Sequence, residues 1–173
     1  MTSSMSRASL PVFKTGLNAL SAVLDKGQAH AAAKKIEPAV LMSWRLAPDM
    51  FPLSRQVRIA TDGAKNGSAR LAGVEAPRFE DDETTFDELK ARLASTVTFL
   101  DTLEPAAIEA SADREITFPL GPKQGRMRGA DYLHHFVVPN FYFHLTAAYA
   151  ILRHCGVELG KTDFLGAIPL TRI

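Results

Sequence analysis

The sequence predicts an all-α four-helix bundle with a short extended or hairpin insertion before the last helix. Three observations carry that expectation. Apolar residues recur at spacings of three and four along four segments, glycine, proline and polar breakers separate those segments, and period-two alternation is confined to one short stretch. A chain of 173 residues is expected to form a single domain over residues 1–173 that buries most of its apolar surface. Its 46% hydrophobic and 23% charged residues are ordinary globular proportions, which sets overall disorder aside.

The first helix is read from about Ser9 to Lys34, on Leu10, Phe13, Leu17, Leu20 and Leu24. Gly27 within it suits the close approach of another element. Ile36 to Ala47 is a connection bounded by Pro38 and Pro48, and a buried Trp44 would pin it to the bundle. The second helix is expected to start near Pro48 or Asp49, with Pro52 still in its first turn. Proline's missing amide costs nothing there, and Asp49 meets the positive end of the helix dipole. Leu53, Gln56, Ile59, Ala60 and Gly63 then share a face, and Asn66-Gly67-Ser68 weaken the helix toward its end.

Gly73 to Glu83 reads as a loop whose acidic run, Glu80 to Glu83, is a solvated cap on the third helix. Thr85-Phe86-Asp87-Glu88 matches a capping box, in which the threonine oxygen and the glutamate satisfy exposed amides reciprocally. Phe86, Leu89, Leu93, Val97 and Leu100 carry that helix to near Pro105. Glu115 to Phe118 alternates and is followed by Gly121, Pro122 and Gly125, the pattern of a hairpin or extended crossover. Asp131 to Val138 reads as a helical turn that Pro139 interrupts. The fourth helix runs from Pro139 to about His154, where Gly156 stops it, and Gly160 to Gly166 looks like a docking loop.

Several function classes lose ground on composition. The net charge is +1 and the basic residues alternate with acidic ones, so no nucleic acid is expected as a partner. No apolar run approaches the roughly 20 residues that a bilayer span needs. One cysteine, Cys155, rules out an internal disulfide and CxxC chemistry, and a cytoplasmic setting is expected. Cys155 sits at a helix C-terminus, where dipole repulsion raises a thiol pKa, so it reads as a packing residue.

Polar residues on inward faces are the candidates for function. Asn140 and His144 are offset by only about 40° on a helix and therefore aim in nearly one direction. Small residues at Ala147 and Ala148 leave room near the imidazole. Gln56 is an interior position of the second helix, which gives a constellation of Gln56, Asn140 and His144 with Asp49 at its mouth. Three readings stay open: a metal site, a polar pocket for a small molecule, and a structural hydrogen-bond network. His134 reads as surface, His135 as an outside candidate, and His30 and His154 as charges that complement helix C-termini. The glycines at 121, 125 and 129, with Lys123, Arg126 and Arg128, read as a hairpin tip, with an anion-contacting turn as the alternative.

Three stretches carry a family likeness: Asp49-Met50-Phe51-Pro52-Leu53 with Gln56, Pro139-Asn140-Phe141-Tyr142-Phe143-His144 with Ala148 to Arg153, and Gly156-Val157 with Gly160-Lys161. Over roughly Leu10 to Gly166 the chain resembles an uncharacterised domain family of the DinB/YfiT-like superfamily. The resemblance implies an up-down-down-up four-helix bundle, often a homodimer. Better characterised relatives bind a divalent metal such as zinc or nickel through three histidines, one on the second helix and two in HxxxH on the fourth. Some are thiol transferases or isomerases. Residue by residue, His144 matches the second histidine of HxxxH, Asn140 stands where the first would be, and Gln56 falls at the second-helix position. Three functions follow as expectations: a small-molecule-binding or vestigial-enzyme protein, a metal-dependent thiol transferase with His144 as ligand, and a non-catalytic dimerisation module.

Overall fold

In the computed structural model, which describes residues 4–170, four long helices enclose one apolar core. Residues 1–3 and 171–173 of the expected domain lie outside the described residues. Helix α1 spans Met5–Lys34, α2 Pro38–Ser43, α3 Leu53–Ala72, α4 Phe86–Asp101 and α5 Pro105–Glu109. A hairpin of β1 (Glu115–Leu120) and β2 (Lys123–Arg128) follows. A last helical rod comprises α6 (Gly129–Asp131), a π-helical segment (Tyr132–Val137) and α7 (Val138–His154), and α8 (Lys161–Leu165) closes the chain. Among the described residues no helix is long and apolar enough to cross a membrane.

The contacts fix the direction of each helix. Gly16 lies against Phe141 and Gly27 against Leu152, so α1 and α7 run the same way. Lys14 pairs with Asp101 and Asp25 with Lys90, so α4 runs opposite to α1. Gly63 meets Asn140 and Gly67 meets Val137, so α3 runs opposite to α7. The bundle is therefore up-down-down-up, as the resemblance implies. Gly27 does admit a neighbour closely: a Cβ there would lie 3.0 Å from Leu152 Cδ2.

Helix α1 begins four residues before the expected Ser9. Ser4 caps it, and the Glu109 carboxylate accepts the backbone amides of Met5 and Ser6 and the hydroxyls of Ser4 and Ser6. Helix α3 begins at Leu53, later than the expected Pro48 or Asp49, with Pro52 as its N-cap. A residue before proline is disfavoured in the α region, which favours a non-helical Phe51 and a helix start beyond Pro52. It also runs on to Ala72 before Gly73 caps it, because Gly67 packs against Val137 rather than ending the helix. The connection before it holds the short helix α2, and Trp44 is 43% exposed, its ring beside His154 instead of buried.

The capping box at Thr85 and Glu88 is present. The acidic run is not a solvated cap throughout. Glu83 accepts from Arg58 Nε at 2.8 Å and from Arg92 Nη1 at 2.8 Å, with only 11% of its side chain exposed. Asp81 and Asp62 also pair with the buried Arg92 guanidinium. Lys65 donates to the Pro77 carbonyl and lies over the Phe79 ring. The 73–85 loop is thus strapped across α3 and α4 by buried charge, an arrangement that long-range pairing creates and local spacing does not announce.

Pro139 does not interrupt the last rod. A proline lacks an amide, and in a regular α-helix its ring would strike the carbonyl one turn back. The wider π turn just before it relieves both conflicts and keeps the rod continuous. The hairpin has the expected form, with Glu115 opposite Arg128 and a turn at positive-φ Gly121. Phe118 seats it on Tyr132 and Phe136 of the π segment, at ring centroids 4.7 and 4.5 Å. Gly156 ends the rod with φ 90°. The expected docking loop is helix α8, tied to α1 by Lys26–Asp163 and to α7 by Phe164 on Tyr149.

Candidate functional site

The seam between α3 and α7 brings Gln56, in the first turn of α3, against His144, near the middle of α7. Both are buried, at 1% and 7% exposure. His144 Nδ1 lies 2.7 Å from Gln56 Oε1, and Gln56 Nε2 donates to the Phe51 carbonyl at 3.1 Å. That last contact settles the protons. A carbonyl only accepts, so the amide nitrogen faces Phe51 and the amide oxygen faces the imidazole. Nδ1 of His144 therefore carries the proton and donates it, which leaves the lone pair on Nε2.

Burial pushes the His144 imidazole down from the usual 6.5 to about 4, so the ring is neutral at physiological pH. Nε2 has no protein partner among the described residues and is not sealed off from solvent. The His144 side chain belongs to the wall of a cavity of about 210 Å³ formed with Asp49, Met50, Phe51, Gln56 and Phe143. Phe143 stands edge-on to the imidazole at 5.1 Å between centroids.

Three of the four residues singled out in sequence thus converge: Gln56, His144 and, at the rim, exposed Asp49. Asn140 does not join them. It is half-buried one turn earlier in the same seam, with Nδ2 against Gly63 of α3, because the antiparallel helices set it about two turns of α3 beyond Gln56. His134 and His135 are both exposed and away from the cavity wall. Met50, Phe51 and Phe143 escaped the sequence reading. The loop that carries the first two turns back through Pro48 and Pro52, and only the Asp49-Met50-Phe51-Pro52 cluster hinted at a packed turn.

Beside this cavity an apolar groove of about 440 Å³ runs along Leu46, Tyr142, Thr146, Ala147 and Ala150. It shares Met50 and Phe143 with the cavity, so the two adjoin across those side chains. A larger hollow of about 500 Å³ lies between Lys26, His30 and Lys34 of α1 and Gly156 to Glu158. Lys26 is committed there to Asp163, and His30, Lys34 and Glu158 form the rest of its polar wall. Burial raises the Cys155 thiol, the direction expected, although burial rather than the helix dipole is the cause.

A resident zinc or nickel ion is implied by the superfamily, and the donor set here does not suit one. A catalytic zinc takes three protein ligands and a structural one four, drawn from imidazole, thiolate and carboxylate. On this cavity wall His144 Nε2 and the Asp49 carboxylate are the groups of that kind, and the Gln56 oxygen is engaged by Nδ1–H. Among the described residues no three His, Cys, Asp or Glu side chains gather where they could hold a metal ion.

Comparison with known proteins agrees with the architecture. The family described as a domain of unknown function, DUF1993, matches residues 5–165. A crystal structure of a DinB family member protein from Shewanella denitrificans superimposes with a TM-score of 0.91 at 42% identity. The match covers 97% of this chain and 95% of that one. No curated protein is significantly similar to this chain in sequence.

Proposed function

The chain belongs to the DUF1993 family, a DinB-like family of domains of unknown function, and from that premise we propose that it binds a small molecule at the Gln56–His144 cavity, with Asp49 at the mouth. The observation that carries this reading is the open Nε2 of His144. A network that served structure alone would engage both ring nitrogens, since it is the fully satisfied polar network that fixes a core. Here one nitrogen is fixed by the Phe51–Gln56 relay and the other is left presented to a cavity. Binding is favoured over acid–base catalysis. An imidazole that protonates only near pH 4, with an amide in place of a carboxylate behind it, is a weak base at neutral pH.

The test is an NMR screen of small amines, alcohols and carboxylic acids at about 1 mM, the affinity scale of fragments, read at the His144 ring. Hits that move the His144 ring and Gln56 side-chain amide resonances, and no longer move the Gln56 amide in His144→Phe, support the reading. A screen in which every hit maps elsewhere overturns it.

A homodimer is the second reading. Phe143 at 59%, Leu46 at 41% and Tyr142 at 38% exposure form an apolar face that a second copy would cover. Sedimentation equilibrium decides it: a dimer that Phe143→Ser converts to monomer supports it, and a monomeric wild type refutes it.

A further inference from the structure

The cavity and the groove adjoin across Met50 and Phe143, and the geometry points to a small amphipathic amine that occupies both, with the amino head between Asp49 and His144 and an apolar body along Met50, Phe143, Ala147 and Ala150. This rests on the proposed ligand cavity and adds the class of compound.

The head group follows from charge and from hydrogen-bond polarity. Asp49 is the one ionised residue on either wall among the described residues, and it has no ion-pair or hydrogen-bond partner there. The other free group, His144 Nε2, accepts. Gln56 spends its oxygen on Nδ1–H and its nitrogen on the Phe51 carbonyl. A ligand that satisfies an anionic acceptor and a neutral acceptor together must donate, and a protonated amine does so with charge assistance at Asp49. Arg55, the nearby cation, is held over the outer face of Phe51 at 3.9 Å and lines neither wall.

The body follows from size and surface. About 210 Å³ alone falls below the roughly 300–1,000 Å³ of ordinary ligand sites, whereas the cavity and the adjoining groove taken together fall within it. Ala147 and Ala150 give the groove a shallow floor one and two turns beyond His144, and the exposed Phe143 ring supplies an edge or face for an aromatic body. Thr146 is the sole hydroxyl-bearing aliphatic side chain on that wall among the described residues.

Three probes that differ in their heads test the proposal: phenethylamine, phenethyl alcohol and hydrocinnamate, each titrated into the full chain at neutral pH. Shifts are followed at the His144 ring and at the Ala147 and Ala150 methyls. Phenethylamine is expected to move all three and to bind about tenfold more tightly than the alcohol, with the acid weakest. Asp49→Asn is expected to bring the amine down to the alcohol's affinity and leave the alcohol unchanged. Ala150→Leu, a change in the groove and not on the cavity wall, is expected to weaken amine and alcohol alike, read at the His144 ring. If the alcohol or the acid binds as well as the amine, or Asp49→Asn leaves the amine unaffected, the amine class is overturned while the ligand cavity stands. If Ala150→Leu changes nothing, the groove is not the body site and the proposal fails. If none of the three moves His144, the proposal falls and the cavity reading loses its support with it.

Discussion

Two glycines on one face of α3 are expected to respond to alanine with opposite signs, and the difference measures the seam that holds Gln56 against His144. Alanine in a helix interior is worth about 1 kcal/mol over glycine, so propensity alone favours both changes. At Gly63 the added methyl meets one atom, Asn140 Nδ2 at 3.2 Å, the tip of a half-buried side chain that can swing aside. Gly63→Ala is therefore expected to stabilise by about 0.5–1 kcal/mol. At Gly67 it meets three atoms of Val137, at 2.5, 3.0 and 3.3 Å. Val137 is β-branched, 2% exposed and set in the π segment, so it cannot rotate away. Overpacking of this kind costs about 1–3 kcal/mol, which exceeds the propensity gain and leaves Gly67→Ala destabilised by about 1–2 kcal/mol. Val137→Ala removes the obstructing methyls, so the double mutant is expected to recover about 1–2 kcal/mol relative to additivity. Urea unfolding followed by circular dichroism gives all four values. A Gly67→Ala variant as stable as Gly63→Ala, or a cycle with no coupling, would refute the close α3–α7 approach.

Three further outcomes are expected. The folded His144 value near 4 lies below the unfolded 6.5, so the unfolded chain takes up the proton first. The stability this confers is complete above about pH 6.5 and is lost as pH falls toward 4. It amounts to at most about 3 kcal/mol, and His144→Phe should remove that part of the pH profile. Gln56→Leu strips the partner from both Nδ1–H of His144 and the Phe51 carbonyl and should destabilise by about 2–3 kcal/mol by urea titration. At Glu83 burial works to raise the carboxyl pKa, and the Arg92 hydrogen bond and the charges of Arg92 and Arg58 overcome it and hold it below 4.5. Its contribution is therefore present above 4.5 and lost as pH falls through the folded value. Glu83→Gln should cost about 1–3 kcal/mol at neutral pH and flatten the acid limb of thermal unfolding.

What was legible in the sequence was what depends on local periodicity. The apolar stripes of the four long helices, the Thr85–Glu88 box, the hairpin and the Gly156 stop are each short-range patterns with one physical reading. What was not legible depends on partners far along the chain. Glu83 looks like any capping glutamate until Arg58 and Arg92 meet it, and Pro139 looks like a breaker until a π turn absorbs it. The site divides the same way. Helical spacing put Gln56 and His144 inward, but it could not tell that Asn140, on nearly the same face, meets α3 at Gly63, about two turns along from Gln56. Nor could it supply the Phe51 carbonyl, a backbone atom whose position depends on the turn between Pro48 and Pro52.

The protonation state of His144 tests the central claim most directly. Long-range proton–nitrogen NMR correlation distinguishes its two ring nitrogens from those of His30, His134, His135 and His154. The expected result is a neutral ring protonated at Nδ1, with a free Nε2 that persists below pH 5 and moves only when a ligand enters the cavity. A ring protonated at Nε2, or one that becomes cationic near pH 6.5, would contradict the open acceptor on which the binding site is built.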